Sequence, residues 1–394
     1  MPVQVTRAYH TRTPAHSTWI EVSPGALRHN LRAIEALVGK QVAVCAVIKS
    51  DAYGHGAAGC AQALHDAGVR WFAVSSVQEG ISLRGRGIGD RILVLSGFWR
   101  GEEDAIVMHE LTPTVWEPNQ IDLLQIATAK MVLKRRLPVH LKVNTGMNRL
   151  GADVKELPGI YRAVGNAQNL SLEGIFSHFA ASEVVGLAHG DEQLRRFSEA
   201  VALAGKMGLE PQLRHMANSA AIVARPKSWF NMVRPGLALY GHCLPLSAAG
   251  SESVPPALPL KPALTWKARV LQVRDVASGE QIGYSSGHIT KTATRVAVLP
   301  VGYGDGLTRR LSSRGRVIVR NAYAPVLGNV SMNLTAVDVT NIPGVAAGDE
   351  AIVIGSSAAC KIDVTEHAQL AGTIPYEILC NISARLPRHY VETD

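Results

Sequence analysis

The sequence predicts an α/β plus all-β chain: an N-terminal (β/α)8, TIM-like barrel followed by a mostly β C-terminal domain. Three observations predict it. From residue 18 to about 242, short apolar runs alternate with longer amphipathic ones, and roughly 225 residues is the length of one such barrel. The short runs are rich in Val, Ile and Leu and apolar on both faces, as buried parallel strands are. At residues 243–263 the texture breaks, with five prolines and no aromatic residue. A doubly wound sheet is the competing architecture. It needs a G-x-G-x-x-G turn after its first strand, and none stands there.

Taken in order, the expected strands of the first part are Thr18–Val22, Val42–Ile48, Trp71–Ser75, Ile92–Ser96, Leu111–Val115, Val139–Val143, Leu172–His178, Pro211–Met216 and Val233–Tyr240. Helix-like segments between them include Ala58–Ala67, Asn119–Thr128, Glu156–Asn169 and Asp191–Met207. The proline-rich stretch reads as a linker. Beyond it, Trp266–Val273, Arg295–Pro300, Arg316–Val319 and Glu350–Ile354 read as strands between Gly-containing turns, and a helical period returns at Val364–Leu370. The expected domains are a loose tail at 1–17, the barrel at 18–250 and the β domain at 251–394.

Composition removes several classes of function. With 394 residues, 47% apolar and 18% charged, the chain is neither disordered nor a coiled coil. The net charge of +8 is scattered, with Lys134-Arg135-Arg136 the densest run, so no nucleic-acid partner is expected. Five widely spaced cysteines without a C-x-x-C imply neither a disulfide framework nor a metal site, and point to a reducing compartment, here the cytoplasm. The first 17 residues lack an apolar core, which argues against a signal peptide, and no run of 18 apolar residues predicts a membrane span.

The most informative segment runs from Val42 to Gly56, VAVCAVIKSDAYGHG. Lys49 directly ends an apolar strand and is followed by a glycine-containing turn and a helix. The C-terminal strand ends form the active-site face of a barrel. A lysine there is a candidate Schiff-base nucleophile, because desolvation favours the neutral amine. It is equally a lysine snorkelling to water at a strand end. By the same residue-level reading, Tyr284 in Ile-Gly-Tyr-Ser-Ser-Gly is a turn tyrosine, and His178 and His215 are core groups.

The segment Ala46–Gly56 closely resembles the cofactor-lysine motif of bacterial alanine racemases, enzymes of pyridoxal-phosphate fold type III. The resemblance continues through Lys142-Val-Asn-Thr-Gly-Met-Asn-Arg149, Phe176-Ser-His178-Phe-Ala, His215-Met-Ala-Asn-Ser219, Val233-Arg234-Pro-Gly236-Leu237 and Ile282-Gly-Tyr284-Ser. It goes on through Val301-Gly-Tyr303-Gly-Asp-Gly, Gly328-Asn-Val-Ser-Met332-Asn and Pro375 to Arg388. Each motif is modest alone; their joint order and spacing are specific. The resemblance implies pyridoxal 5'-phosphate as cofactor, no metal, an amino-acid substrate, and a homodimer whose active sites are shared between subunits. It implies that Lys49 holds the cofactor and is the base on the D face, with Tyr284 of the partner subunit the base on the L face. Proton removal on one side and return on the other is what racemisation needs. Tyr53, Ser219 and the backbone of Gly236 and Leu237 are implied to bind phosphate. Ser219 opens a helix, where hydroxyl and N–H groups suit an anion, although a plain N-cap reads the same. Gly236 lets backbone approach closely.

Arg234 is implied to face the pyridine nitrogen, with His178 orienting it and His215 in the pocket wall. Arginine does not give up its proton, so that nitrogen stays unprotonated. Arg149 and the Met332 N–H of the partner would hold the substrate carboxylate. Lys142 matches a lysine carbamylated in many relatives. The implied role is to interconvert L- and D-alanine, supplying D-alanine for peptidoglycan. Two residues depart from the family pattern. Asn333 stands where aspartate is usual, and Ala384 where many relatives carry a tyrosine that narrows the substrate entrance. Ala384 motivates an alternative, a broader or serine-active racemase. A barrel-type decarboxylase would pair the pyridine nitrogen with a carboxylate, where this chain offers Arg234. A non-catalytic cofactor carrier would be a single barrel without a β domain.

Overall fold

The computed structural model describes residues 16–131, 135–186, 188–248, 258–284 and 287–392. The tail up to residue 15, Lys134 of the basic run and linker residues 249–257 lie outside the described residues. The chain divides into two compact units, residues 27–52 with 57–261, and residues up to 26 with 53–56 and from 262 on.

In the first unit eight parallel strands form a nearly closed barrel. Their order is Leu213–His215, Leu170–Phe176, Leu137–Asn144, Thr112–Val115, Arg91–Val94, Trp71–Val74, Ala43–Val47 and Met232–Val233. The last strand pairs with Ala43–Val47 on one side. On the other, Asn218 and Arg234 form a parallel bridge and Arg234 N–H donates to Ala217 O at 2.9 Å, which closes the gap towards Leu213–His215. The helices Ala57–Asp66, Pro118–Ala129, Leu157–Asn166 and Ala188–Lys206 form close to their expected places. Fully buried Ile92, Leu93, Val139, Leu141 and Ile175 show why these strands read as continuous apolar runs.

Two expectations are corrected. Thr18–Val22 is a strand, but it belongs to the other sheet, where it pairs antiparallel with Leu264–Arg269 and parallel with Arg388–Tyr390. Val233–Tyr240 is not one strand: Met232–Val233 ends at Pro235 and Gly236, and Leu237–Tyr240 is a 3-10 turn. A short apolar run does not distinguish a buried strand from a buried turn.

The second unit is built on a mostly antiparallel sheet. Its order is Gln272–Val276, Thr294–Leu299, Thr335–Asp338, Ala322–Leu327, Arg316–Val319, Glu350–Ser356, Leu264–Arg269, Thr18–Val22 and Arg388–Tyr390. The expected run Trp266–Val273 splits in two, because the Val270 N–H donates to Asp349 O and the Leu271 N–H to Val298 O, handing the chain from one neighbour to another. Residues 53–56 belong to this unit. Arg388 Nη2 donates to Gly54 O at 3.0 Å and Tyr390 Oη to Gly56 O at 2.9 Å. Among the described residues no helix is long and apolar enough to cross a membrane.

Trp19 is fully buried in this sheet, its indole N–H donating to Glu21 Oε1 at 3.0 Å and the Arg269 guanidinium over its ring. Trp19→Ala should destabilise the protein by about 3–5 kcal/mol, as truncation of a buried aromatic does. A lowered denaturant midpoint for the C-terminal unit checks this. An unchanged midpoint would mean the first strand is not part of that core.

Candidate active site

Four barrel strands and the turn closing the barrel bring Lys49, Lys142, Arg149, His178, His215 and Arg234 to the C-terminal strand ends. Lys49 follows Ala43–Val47 and begins a turn whose next four residues, Ser50, Asp51, Ala52 and Tyr53, all have φ of 53–54°. This is one turn of left-handed helix without a glycine. Each such residue costs on the order of 1–2 kcal/mol, so the surroundings must hold it. Glu79 does so: its carboxylate accepts the Ser50 N–H at 2.6 Å and the Ser75 N–H and hydroxyl at 2.7 Å. Asp51 accepts the Ala57 N–H at 2.7 Å, opening the next helix. The turn thereby fixes where the strand ends and Lys49 projects.

Lys142 lies within Leu137–Asn144 and is buried, its Nζ 3.5 Å from Leu95 O and 5.5 Å from the Phe176 ring centre. Burial, then the positive charges of Arg234, Arg149 and Lys49, hold its amine down at about 8. Arg149 sits in the loop after this strand and is exposed; with Lys142, Ser177 and His178 it lines a small cavity. His178 is pushed well below its ordinary value by burial and by Arg234, Lys142, Arg149 and Lys49. None of these leading charges is a carboxylate, so the site is short of negative charge.

Arg234 is buried, and both of its terminal nitrogens are engaged. Nη1 donates to His215 Nδ1 at 2.8 Å. Nη2 is directed at Ser177 O at 2.8 Å, Met216 O at 3.2 Å and His178 Nδ1 at 3.3 Å. His178 therefore does contact Arg234, and His215 does more than wall the pocket, giving the shorter bond. Burial lowers the guanidinium to about 10, leaving it charged at neutral pH. Ser219 opens the helix Ser219–Ala224, but Asn218 is its N-cap, accepting the Ala221 N–H at 3.0 Å. The Ser219 hydroxyl instead accepts the N–H groups of Gly236 at 3.0 Å and Ala238 at 3.1 Å, gathering Gly236 and Leu237 beside it. At Gly236 φ is −116° and ψ −92°, a conformation glycine adopts without a side-chain clash.

The other expected residues lie in the second unit. Tyr53 is buried, its ring 5.9 Å from that of Tyr376. Tyr284 and Met332 are exposed in the single chain, by 71% and 58%. Backbone bonds anchor both: Tyr284 O accepts Asn329 Nδ2 at 3.1 Å, and Met332 O accepts the Gly304 N–H at 2.8 Å. Asn333 and Ala384 are exposed as well. Sequence reasoning missed Glu79, and it missed His140, whose Nδ1 lies 2.9 Å from His215 Nε2, and Glu173, ion-paired to Arg91. For His140 a signal existed: it stands two residues before Lys142 and so shares its face of the strand.

The chain was compared with known proteins. The family model for the alanine racemase N-terminal domain matches residues 22–243, and that for the alanine racemase C-terminal domain matches residues 263–390. An alanine racemase from Carboxydothermus hydrogenoformans is 40% identical over 95% of this chain and 99% of that protein. One from Halothermothrix orenii is 37% identical over 95% and 96%. Among solved structures, alanine racemase from Clostridium difficile superposes with a TM-score of 0.90 at 30% identity, covering 97% of each chain. That from a D-cycloserine-producing Streptomyces lavendulae gives 0.88 at 32%, covering 97% and 99%.

The buried histidines make the fold sensitive to acid. His178 and His215 lie well below 6.5 when folded and return to it when unfolded, so the unfolded chain takes up more protons below about pH 6.5. Stability contributed by these rings should be full above about 6.5 and decline as pH falls further. Denaturant titrations across that range check this; a profile flat down to pH 5 would mean the rings charge within the fold.

Proposed function

We propose a two-base mechanism for this chain, which belongs to the alanine racemase family and interconverts L- and D-alanine. It is an isomerase; pyridoxal phosphate as its cofactor, a shared-site homodimer and a cytoplasmic location with supply of D-alanine to peptidoglycan are part of the proposal. Five widely spaced cysteines without a C-x-x-C, Cys45, Cys60, Cys243, Cys360 and Cys380, suit a reducing compartment.

The residues present fit the cofactor. With Nη1 of Arg234 bonded to His215 and Nη2 shared among Ser177, Met216 and His178, donors at Nε and the second Nη1–H would be available for a ring nitrogen. Ser219 gathers the Gly236–Leu237 backbone where a phosphate would need N–H groups, and Tyr53 would add its hydroxyl. Lys49, set by the left-handed turn, would carry the cofactor. When bound, pyridoxal phosphate acidifies the Cα–H of the amino acid by withdrawing its electrons.

The chain's own groups then move the proton. Lys49 Nζ would take it from or return it to the D face, and the Tyr284 hydroxyl of the partner subunit would do so on the L face. Exposure of Tyr284 and Met332 in the single chain supports their being offered to a partner. Arg149 and the Met332 N–H of the partner would hold the substrate carboxylate. Lys142 with its amine near 8 is partly neutral at neutral pH and able to take up carbon dioxide. As a carbamate it would place an anion among Lys49, Arg149 and Arg234, where an ammonium is opposed by all three.

What supports this reading most is that cationic cluster, which suits a substrate carboxylate and a phosphate and lacks the carboxylate that a decarboxylase would set against the pyridine nitrogen. A chiral assay should show L-alanine converted to an even mixture. Borohydride reduction should fix the pyridoxyl group to the peptide containing Lys49; label on another lysine would overturn that assignment. Bicarbonate should raise the melting temperature of the wild type and leave Lys142→Ala unchanged; equal responses would remove the carbamate.

Ala384 favours a second reading, activity on serine as well. Pocket walls discriminate a small side-chain difference by about 1–3 kcal/mol, or roughly 10–200-fold. With alanine in place of a tyrosine, kcat/KM should favour alanine over serine within that range, and Ala384→Tyr should widen the gap. Discrimination beyond about 1000-fold in the wild type would show that another side chain does the narrowing.

A further inference from the structure

A line of polar side chains, buried at Arg234, His215 and His140 and half-buried at Glu173 and Arg91, runs from Arg234 at the C-terminal strand ends to Arg91 at the start of Arg91–Val94. His215 links Arg234 to His140, its Nε2 2.9 Å from His140 Nδ1. His140 Nε2 lies 3.5 Å from Glu173 Oε2, close enough for electrostatic attraction but without hydrogen-bond geometry, and Glu173 is ion-paired to Arg91. Both imidazoles are fully buried, and His215 stacks on Phe176 with ring centres 4.9 Å apart.

Backbone features are arranged around this line. Between Leu137–Asn144 and Leu170–Phe176 the register runs Val139 to Leu172 and then His140 to Gly174, so Glu173 is an extra residue, a β-bulge. Bulges re-aim side chains, and this one brings the Glu173 carboxylate to the His140 ring. The neighbour is a glycine for a related reason. A Cβ on Gly174 would stand 2.5–2.7 Å from three atoms of that ring.

The proton positions follow from one end. A guanidinium only donates, so His215 Nδ1 must accept from Arg234 and its proton sits on Nε2. That N–H donates to His140 Nδ1, which puts the His140 proton on Nε2, facing Glu173. The reverse order would set a His215 N–H against an Arg234 N–H. Burial, followed for His215 by Arg234 and His140, disfavours charging either ring, and both are lowered from their ordinary value. Burial raises the Glu173 carboxyl, but His140 and Arg91 outweigh it and keep it an anion.

We propose that Glu173 and His140 are positioning residues for Arg234: the carboxylate favours the same order of protons that Arg234 demands, so that with the anion in place the two histidines hold the guanidinium as a donor in a single orientation. The consequence for turnover rests on the role of Arg234 given above; the proton order does not. In holoenzyme labelled with 15N at histidine, His140 and His215 should both be Nε2–H and remain so from about pH 6 to 9. Glu173→Gln keeps an acceptor oxygen, so both tautomers should persist and kcat should stay within about threefold. Glu173→Leu removes the acceptor. The histidine signals should then show mixed tautomers, kcat should fall about tenfold or more with KM for alanine little changed, and the visible absorption of the cofactor should shift. The double variant Arg91→Met with Glu173→Leu leaves neither charge of this half-buried pair without its partner and should behave likewise should the single variant not fold.

Wild-type tautomers other than Nε2–H, or unchanged histidine signals in both Leu variants, would overturn the relay. So would a Glu173→Gln defect as large as that of Glu173→Leu, since packing alone would then explain it. Lost tautomer order with unchanged kcat and absorption would uphold the relay and overturn the role given to Arg234.

Discussion

A concentration of positive charge at one end of the barrel governs the rest of this structure. Lys49, Lys142, Arg149 and Arg234 come from separate places in the chain, and the strand order brings them together. None of the leading charges acting on Lys142 or His178 is a carboxylate. Holding Lys142 near 8 instead of 10.5 disfavours its ammonium by about 3 kcal/mol. A site built this way is completed by anions from outside, and the three expected there are a carbamate, a phosphate and a substrate carboxylate. The cluster thus links the fold to the choice of ligand.

Two devices hold the cationic groups in place. At Lys49 it is a left-handed turn, fastened by Glu79 to the end of the neighbouring strand. At Arg234 it is a network that uses both terminal nitrogens and continues through two neutral histidines. Each places a strained or buried element behind the reacting end of a side chain. In both, a carboxylate lies behind the cation and not against it: Glu79 on the N–H of the residue after Lys49, and Glu173 two histidines away from Arg234.

Much of the architecture was legible in the sequence because buried parallel strands are apolar on both faces, and seven of the nine expected first-part strands took their places in the barrel, with the short Met232–Val233 as its eighth. Thr18–Val22 carries Glu21 among its apolar residues, and nothing local says that its partner is Leu264–Arg269, far along the chain. Val233–Tyr240 misled because a run of Leu, Ala and Tyr after Pro235-Gly236 buries equally well as a 3-10 turn. Site residues on quoted motifs were legible through resemblance. The left-handed turn was not, since Ser50, Asp51 and Ala52 give no glycine signal. Nor was Glu173, whose importance arises from a bulge that exists only once two strands are paired.

The central claim is that two groups on opposite faces of the substrate, Lys49 and Tyr284 of the partner subunit, each handle one enantiomer's proton. Exchange of the α-hydrogen with deuterium oxide tests it directly. In Tyr284→Phe, D-alanine should still exchange its α-hydrogen, with retention of configuration, while exchange from L-alanine falls to background. Loss of both exchanges together, or exchange from L-alanine at the wild-type rate, would contradict the assignment of one base to each face.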